Sequence, residues 1–246
     1  MQALLVRVGI DKTFGRWNGP VDPRTGQFVY VPIPETKTKI IRPGQRRLYN
    51  EILPHIARLN ETAGAKFRLP RSLSDKPMHL DPDFECLTYG DRKRNKGISK
   101  HRGNQIAELK PDDLIVFYAG LRQRERRAEL VYAIIGFYVV DNVTPAYKFK
   151  KPKWCLNAHT RRKPLEQDIV VTARPGKSGR LERCIPIGEY RDDAYRVKKS
   201  LLKIWGGLSV KNGYIQRSGT LPRFNDPKKF IRWFRKQKPR LIQRNN

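Results

Sequence analysis

The sequence predicts an α+β fold: a mixed, largely antiparallel β-sheet with flanking helices and a basic C-terminal helix. Three observations carry that reading. Residues 112–141 hold two apolar runs rich in β-branched and aromatic side chains, separated by a basic turn at 122–127, which is the signature of a hairpin. Both runs are nearly continuous in apolar character, so both faces of each strand are expected to be buried and the hairpin to stand at the centre of the sheet. Helix signals flank it, the clearest being Asp226 followed by Pro227 near the C-terminus.

The other elements follow in order. Residues 3–10 read as a first strand, and residues 11–23, dense in Gly, Pro, Asp and Asn, as a loop. Residues 27–33 read as a second strand, with Pro32 marking an edge or an end. Pro43-Gly44 opens a helical segment in which Leu48, Ile52, Ile56 and Leu59 share a face, and Pro54 is expected to kink or split it. Residues 64–102 read as irregular. A strand is expected at 168–173 and a short one at 184–188. A helix capped by Asp192 or Asp193 should run to about Ile204, with Ala194, Val197, Leu201 and Trp205 inward and Gly206-Gly207 as its stop. In the last helix Phe230, Trp233 and Phe234 point inward, and residues 228–244 carry eight basic residues and no acid. No repeat or linker interrupts the chain, so a single domain over 1–246 is expected, with the basic helix and tail at about 226–246.

Charge narrows the partner. Lys and Arg number 52 against 23 Asp and Glu, a net charge of +29, well beyond what solubility requires. A field of that strength favours a polyanion, and nucleic acid is the first candidate. There is no apolar run of about 20 residues, the N-terminus lacks signal-peptide character, and three widely spaced cysteines form no disulfide framework. The expectation is a soluble cytoplasmic protein with no membrane partner.

Candidate chemistry lies in the polar loops. The four histidines show no HxH or HExxH spacing and the cysteines no CxxC pair, so no metal site is read from spacing. Asp81, Asp83 and Glu85 alternate as on one face of a strand and could hold a hard cation such as Mg²⁺ if the protein is catalytic. Arg92, Lys93 and Arg94 open a run of six basic residues, 92–102, suited to phosphate. Lys177, Ser178 and Arg180 stand among glycines in a loop whose backbone N–H groups could cradle phosphate, without Walker A spacing. Trp17 and Asn18 offer a stacking face and an amide for a base edge. Asn157, His159, Arg161 and Arg162 form the richest polar run near a strand. Gln216 and Arg217 repeat that offer after the turn at Asn212-Gly213.

Six stretches together resemble one known family. Residues 5–11 (LVRVGID), 28–35 (FVYVPIPE), 80–85 (LDPDFE), 88–91 (TYGD), 157–162 (NAHTRR) and 205–209 (WGGLS) are similar to the third type of nucleotide modification associated domain, across nearly the whole chain. The resemblance implies a prokaryotic or phage domain connected with modified bases in DNA. Residues 111–118 and 133–140 also resemble the strand pair of PUA-like barrels of the EVE and ASCH groups, with Asp112 where that pattern has glycine. This implies a pocket on the barrel that reads a flipped or modified base.

Three functions are therefore expected in turn. In the first, a DNA-binding domain for modified nucleotides uses Asn18, His159 and Gln216 on base edges, Arg161, Arg180 and Arg217 on phosphate, and Trp17 or Tyr89 for stacking. In the second, an enzyme modifies bases or nucleotides or cleaves modified DNA, with Asp11, Asp81, Asp83 and Asp91 as metal ligands or general base and His159 as proton shuttle. In the third, an RNA- or ribosome-associated protein uses its charge alone.

Overall fold

The second run of the expected hairpin is the longest strand of the computed structural model, which describes residues 1–94, 101–124, 129–216 and 219–246. In chain order the strands are β1 (Ala3–Arg7), β2 (Ile33–Pro34), β3 (Met78–His79), β4 (Thr88–Arg92), β5 (Leu114–Leu121), β6 (Val131–Pro145), β7 (Asp168–Ala173), β8 (Gly179–Pro186), β9 (Gly188–Arg191), β10 (Ala194–Val197) and β11 (Leu241–Ile242). The α-helices are α1 (Leu53–Ala63), α2 (Arg102–Ala107), α3 (Ala158–Arg161), α4 (Lys199–Trp205) and α5 (Pro227–Lys236). The fold is α+β with a mixed, largely antiparallel sheet.

Seven strands form the main sheet, in the order β1-β5-β6-β7-β4, with β8 also on β6 and β11 on β8. Among the described strand pairs of this sheet, only β1–β5 is parallel. The expected hairpin is β5–β6, and every residue of β5 is buried. β6 changes neighbours along its length. Its first part lies between β5 and β8, and beyond an irregularity at Val140/Asn142 it pairs with β7. Such irregularities bend a strand and redirect it. From there the sheet continues through β7 to β4, the edge near which the polar residues gather.

The sheet is buried on both faces, and β1 shows how. Leu4 and Val6 enter a core with Phe84, Phe117 and Tyr138, while Ala3 and Leu5 enter another with Trp205 of α4 and Phe230 of α5. This is the period of two expected of a strand. Each Leu, Val or Phe among them contributes about 1.5–3 kcal/mol on burial. A third cluster packs Ile56 and Leu59 of α1 against Ile10, Trp17, Val29 and Val31. No described helix is long and apolar enough to cross a membrane.

Several local expectations are corrected. Residues 28–32 are buried but form no strand: Phe28 makes an isolated bridge with Val21, and only Ile33 enters a strand. Their backbone is satisfied elsewhere: Tyr30 N–H donates to Asn246 Oδ1 (2.8 Å), and Asn246 Nδ2 donates to Tyr30 O (2.9 Å), so one carboxamide replaces a neighbouring strand. Pro54 sits in the first turn of α1, where its missing N–H costs nothing, so it starts the helix without kinking it. Within 64–102, β4 is a regular strand in the main sheet. Asp192 and Asp193 do not cap a helix. Both have positive φ (51° and 57°) and turn the β9–β10 hairpin, and α4 begins only at Lys199. The C-terminal helix is as expected: Asp226 accepts from Lys229 N–H at 2.9 Å, and Phe230, Trp233 and Phe234 are buried.

Candidate functional site

Two hollows lie side by side and share Arg7. The first, of about 380 Å³, is a polar cleft over β4. The β2–β3 ladder pairs Ile33 with His79 and so brings Glu35 beside His79. Asp81 follows β3 directly. Strand β4 supplies Gly90 and Asp91, α3 supplies His159, and β7, paired with β4, begins at Asp168.

The cluster is cross-braced. Asp81 Oδ1 accepts from Gly90 N–H (2.7 Å) and Asn157 Nδ2 (2.9 Å). Asn157 Oδ1 caps α3 by accepting from His159 N–H at 2.9 Å, which orients the next side chain. His79 Nδ1 lies 2.6 Å from Glu35 Oε2, and His159 Nδ1 lies 3.3 Å from Asp168 Oδ1. Arg162 ties the two carboxylates together, with Nη1 3.2 Å from Glu35 Oε1 and Nη2 3.2 Å from Asp168 Oδ2. Both imidazole Nε2 atoms face Asp81 Oδ2, at 3.8 Å and 3.7 Å. Gly90 makes room for this, since a Cβ there would clash with His159 Cδ2.

Ionisation follows from these neighbours. Burial pushes Asp81 above the ordinary aspartate range, only partly countered by His159 and His79. Burial also opposes the charge on Glu35, but the hydrogen bond with His79 and the nearby Arg162 outweigh it and hold the group down at about 2. Asp168 likewise lies well below the usual range, because the bond with His159 and the Arg162 charge outweigh its burial. Beside them Asp91 pairs with Arg102 (2.7 Å), which overcomes burial and lowers the carboxyl, and Arg102 also donates to the Tyr89 hydroxyl.

The second hollow, of about 680 Å³, is aromatic and basic. Tyr132 and Tyr195 stack with ring centres 4.3 Å apart, Tyr190 meets Tyr195 edge-on, and Arg7 lies 5.2 Å over Tyr132. Lys12, Arg16 and Arg122 stand around it with Asn18, Gln216 and Tyr214. Tyr190 is half exposed, so an aromatic face reaches solvent.

The residues singled out from sequence divide accordingly. Asp81, Asp91, Tyr89, Arg92, Arg94 and His159 line the first hollow; Asp11, Trp17, Asn18 and Gln216 line the second. Asp11 accepts from the Thr13 and Phe14 N–H groups and pairs with Arg7 at 3.2 Å, and Asn18 Nδ2 donates to Gly120 O. Arg92 pairs with Asp168 (3.1 Å), and Lys93 is exposed. Asp83 belongs to neither hollow. Residues 83–88 form a turn closed by backbone bonds between Asp83 and Thr88, so Asp81, Asp83 and Glu85 do not line one strand face. Asp83 is wholly buried on Arg161 (2.6 Å) and Asn245 (3.0 Å). Arg180 is buried against Phe28 and donates to Leu181 O and Arg244 O; Ser178 Oγ accepts from Val139 N–H; Lys177 alone of that loop's three polar candidates is exposed. Arg217 and residues 95–100 lie outside the described residues. Sequence reasoning did not single out Glu35, His79, Asp168, Arg102 or Arg7. The available signal for one of them was the pair His79-x-Asp81, whose alternation sets both side chains on one side of an extended segment.

Comparison with known proteins finds one family. No curated protein and no solved structure matches the chain. The family model described as nucleotide modification associated domain 3 matches residues 2–222, which include both hollows and every β4–β7 contact. Its description connects the chain with modified nucleotides. The chain belongs to the nucleotide modification associated domain 3 family.

Proposed function

We propose that this domain binds nucleic acid, with DNA carrying modified bases as the ligand, and receives a base in the tyrosine-lined hollow while the surrounding cations hold phosphate. The observation that carries the reading is the hollow itself: stacked Tyr132 and Tyr195 and half-exposed Tyr190, ringed by Arg7, Lys12, Arg16 and Arg122. Tyrosine rings accept any base by stacking, at about 1–3 kcal/mol per base, and Gln216 adds donors and an acceptor for an edge. A protein relying on charge alone needs no concave aromatic pocket.

A second reading, that the domain also processes the nucleotide, is favoured by a separate observation. The His79–Asp81–His159 cluster opens into a cleft that meets the tyrosine hollow at Arg7, so a base held in one would set its sugar and phosphate over the other. The test is fluorescence anisotropy with short single- and double-stranded DNA, unmodified and carrying hypermodified bases, over a salt series. The expected outcome is tighter binding of a modified base, reduced about tenfold in Tyr195→Ala at constant salt slope. Equal affinity for every base with a steep salt slope would reduce the role to phosphate binding.

A further inference from the structure

The two imidazoles and the carboxylate at the floor of the polar cleft have the geometry of metal ligands. Asp81 Oδ2 accepts no hydrogen bond among the described residues; its polar neighbours are the Nε2 atoms of His79 and His159, at 3.8 Å and 3.7 Å, beyond hydrogen-bonding reach. The donor atoms of all three residues lie within 4.8 Å of one another. A point between them stands on the order of 2.5 Å from each, a few tenths of an ångström beyond the ~2.0–2.1 Å of a metal–imidazole bond. We infer that His79, Asp81 and His159 bind one divalent transition-metal ion through the two Nε2 atoms and Asp81 Oδ2, with its remaining positions open to the cleft.

The surroundings favour a metal over a bare polar network. Each histidine has a carboxylate at Nδ1, Glu35 for His79 and Asp168 for His159, and this pattern fixes the tautomer that leaves Nε2 free to ligate. At His159, Arg162 Nη2 also points at Nδ1 from 3.1 Å and competes there with Asp168; a metal on Nε2 selects the Nδ1–H form that faces the Asp168 carboxylate. Asp81 is held at the other oxygen by Gly90 and Asn157, so Oδ2 is aimed without rotamer freedom. A cation would also offset the burial of that carboxylate. Two imidazoles with one carboxylate select a borderline ion (zinc, iron(II), manganese or cobalt) over magnesium, which prefers oxygen ligands throughout. This moves the Mg²⁺ expected at Asp81, Asp83 and Glu85: Asp83 is spent on Arg161, and only Asp81 remains as a ligand.

The inference is independent of nucleic-acid binding and is tested without it. The chelator-treated chain is titrated with Zn²⁺, Mn²⁺, Co²⁺ and, anaerobically, Fe²⁺ by calorimetry, and the visible spectrum of the Co²⁺ form is recorded before and after Zn²⁺ competition. One ion per chain and a ligand-field spectrum lost on competition are expected. His79→Ala and Asp81→Asn should abolish tight binding, and Glu35→Gln should weaken it about 10–100-fold through loss of the orienting carboxylate. Thermal unfolding of each variant separates lost ligation from lost folding, and the wild-type cobalt spectrum does not depend on any variant. Absence of stoichiometric binding by all four ions, or unchanged stoichiometry in folded His79→Ala and Asp81→Asn, would overturn it.

Discussion

Asp81 and Asp83 are two residues apart and meet opposite fates. Asp83 is wholly buried, with Arg161 and Asn245 on its carboxylate and the Tyr138 hydroxyl on its carbonyl, and it serves the core. Asp81 is equally enclosed on one oxygen, yet its second oxygen faces two imidazoles at the floor of a cleft. The same contrast holds between larger regions. His79, Asp81 and Asp91 turn their polar groups toward a shared space, whereas in the 174–180 loop Ser178 and Arg180 turn theirs onto the fold's own backbone. Polar residues become a site when their hydrogen bonds are completed on one side only. Of that loop's three polar candidates, Lys177 alone is left exposed to meet a phosphate.

Substitutions can break this contrast, beginning with the largest effect. Asp83→Ala should strand Arg161, whose Nη1 already lacks a partner, and cost about 3–5 kcal/mol in urea unfolding. Asp81→Asn, which keeps an acceptor for Gly90, should cost far less stability, so similar losses at the two positions would erase the distinction. Asp91→Asn removes a charge-assisted bond with Arg102 and should cost about 1.5–3 kcal/mol at neutral pH. Its folded pKa is lowered, because the Arg102 charge outweighs burial. The stabilisation is therefore present above the ordinary aspartate value of 3.8 and lost as pH falls below it, and the wild-type advantage should shrink through that window and vanish at lower pH.

Gly90→Ala should displace His159 and cost about 1–3 kcal/mol by overpacking, visible in thermal unfolding. Lys177→Ala should be the mildest: unchanged stability, and a DNA-binding salt slope reduced by about one if that exposed lysine meets a phosphate. A large destabilisation there would mean that the loop carries more of the fold than its exposure implies.

Much of the core was legible because apolar periodicity is local. The 112–141 hairpin, the strand expected at 3–10 and found at 3–7, the strand at 168–173, and the capped helix after Asp226 all follow from patterns within a few residues. Errors came where the partner was remote. Residues 27–33 have strand composition, but their neighbour is the amide of Asn246, and Asp192-Asp193 resembles a cap until Tyr190 and Tyr195 pair across it. Of the site, Asp81, Asp91, Asn157 and His159 were legible as polar residues at strand and loop ends. Glu35 and Asp168 were not, since an isolated acid carries no sign that it will stand behind a histidine.

The sequence by itself determined the class of fold, the basic character that favours a polyanionic partner, and the family, since these are properties of composition, short-range pattern and ordered motifs. Only the tertiary structure decided which polar residues come together. His79, Asp81 and His159 meet because the β2–β3 ladder, the β4–β7 register and the Asn157 cap bring three separate segments to one sheet edge. Register is a long-range property, set by which strands pair, and no spacing along the chain encodes it.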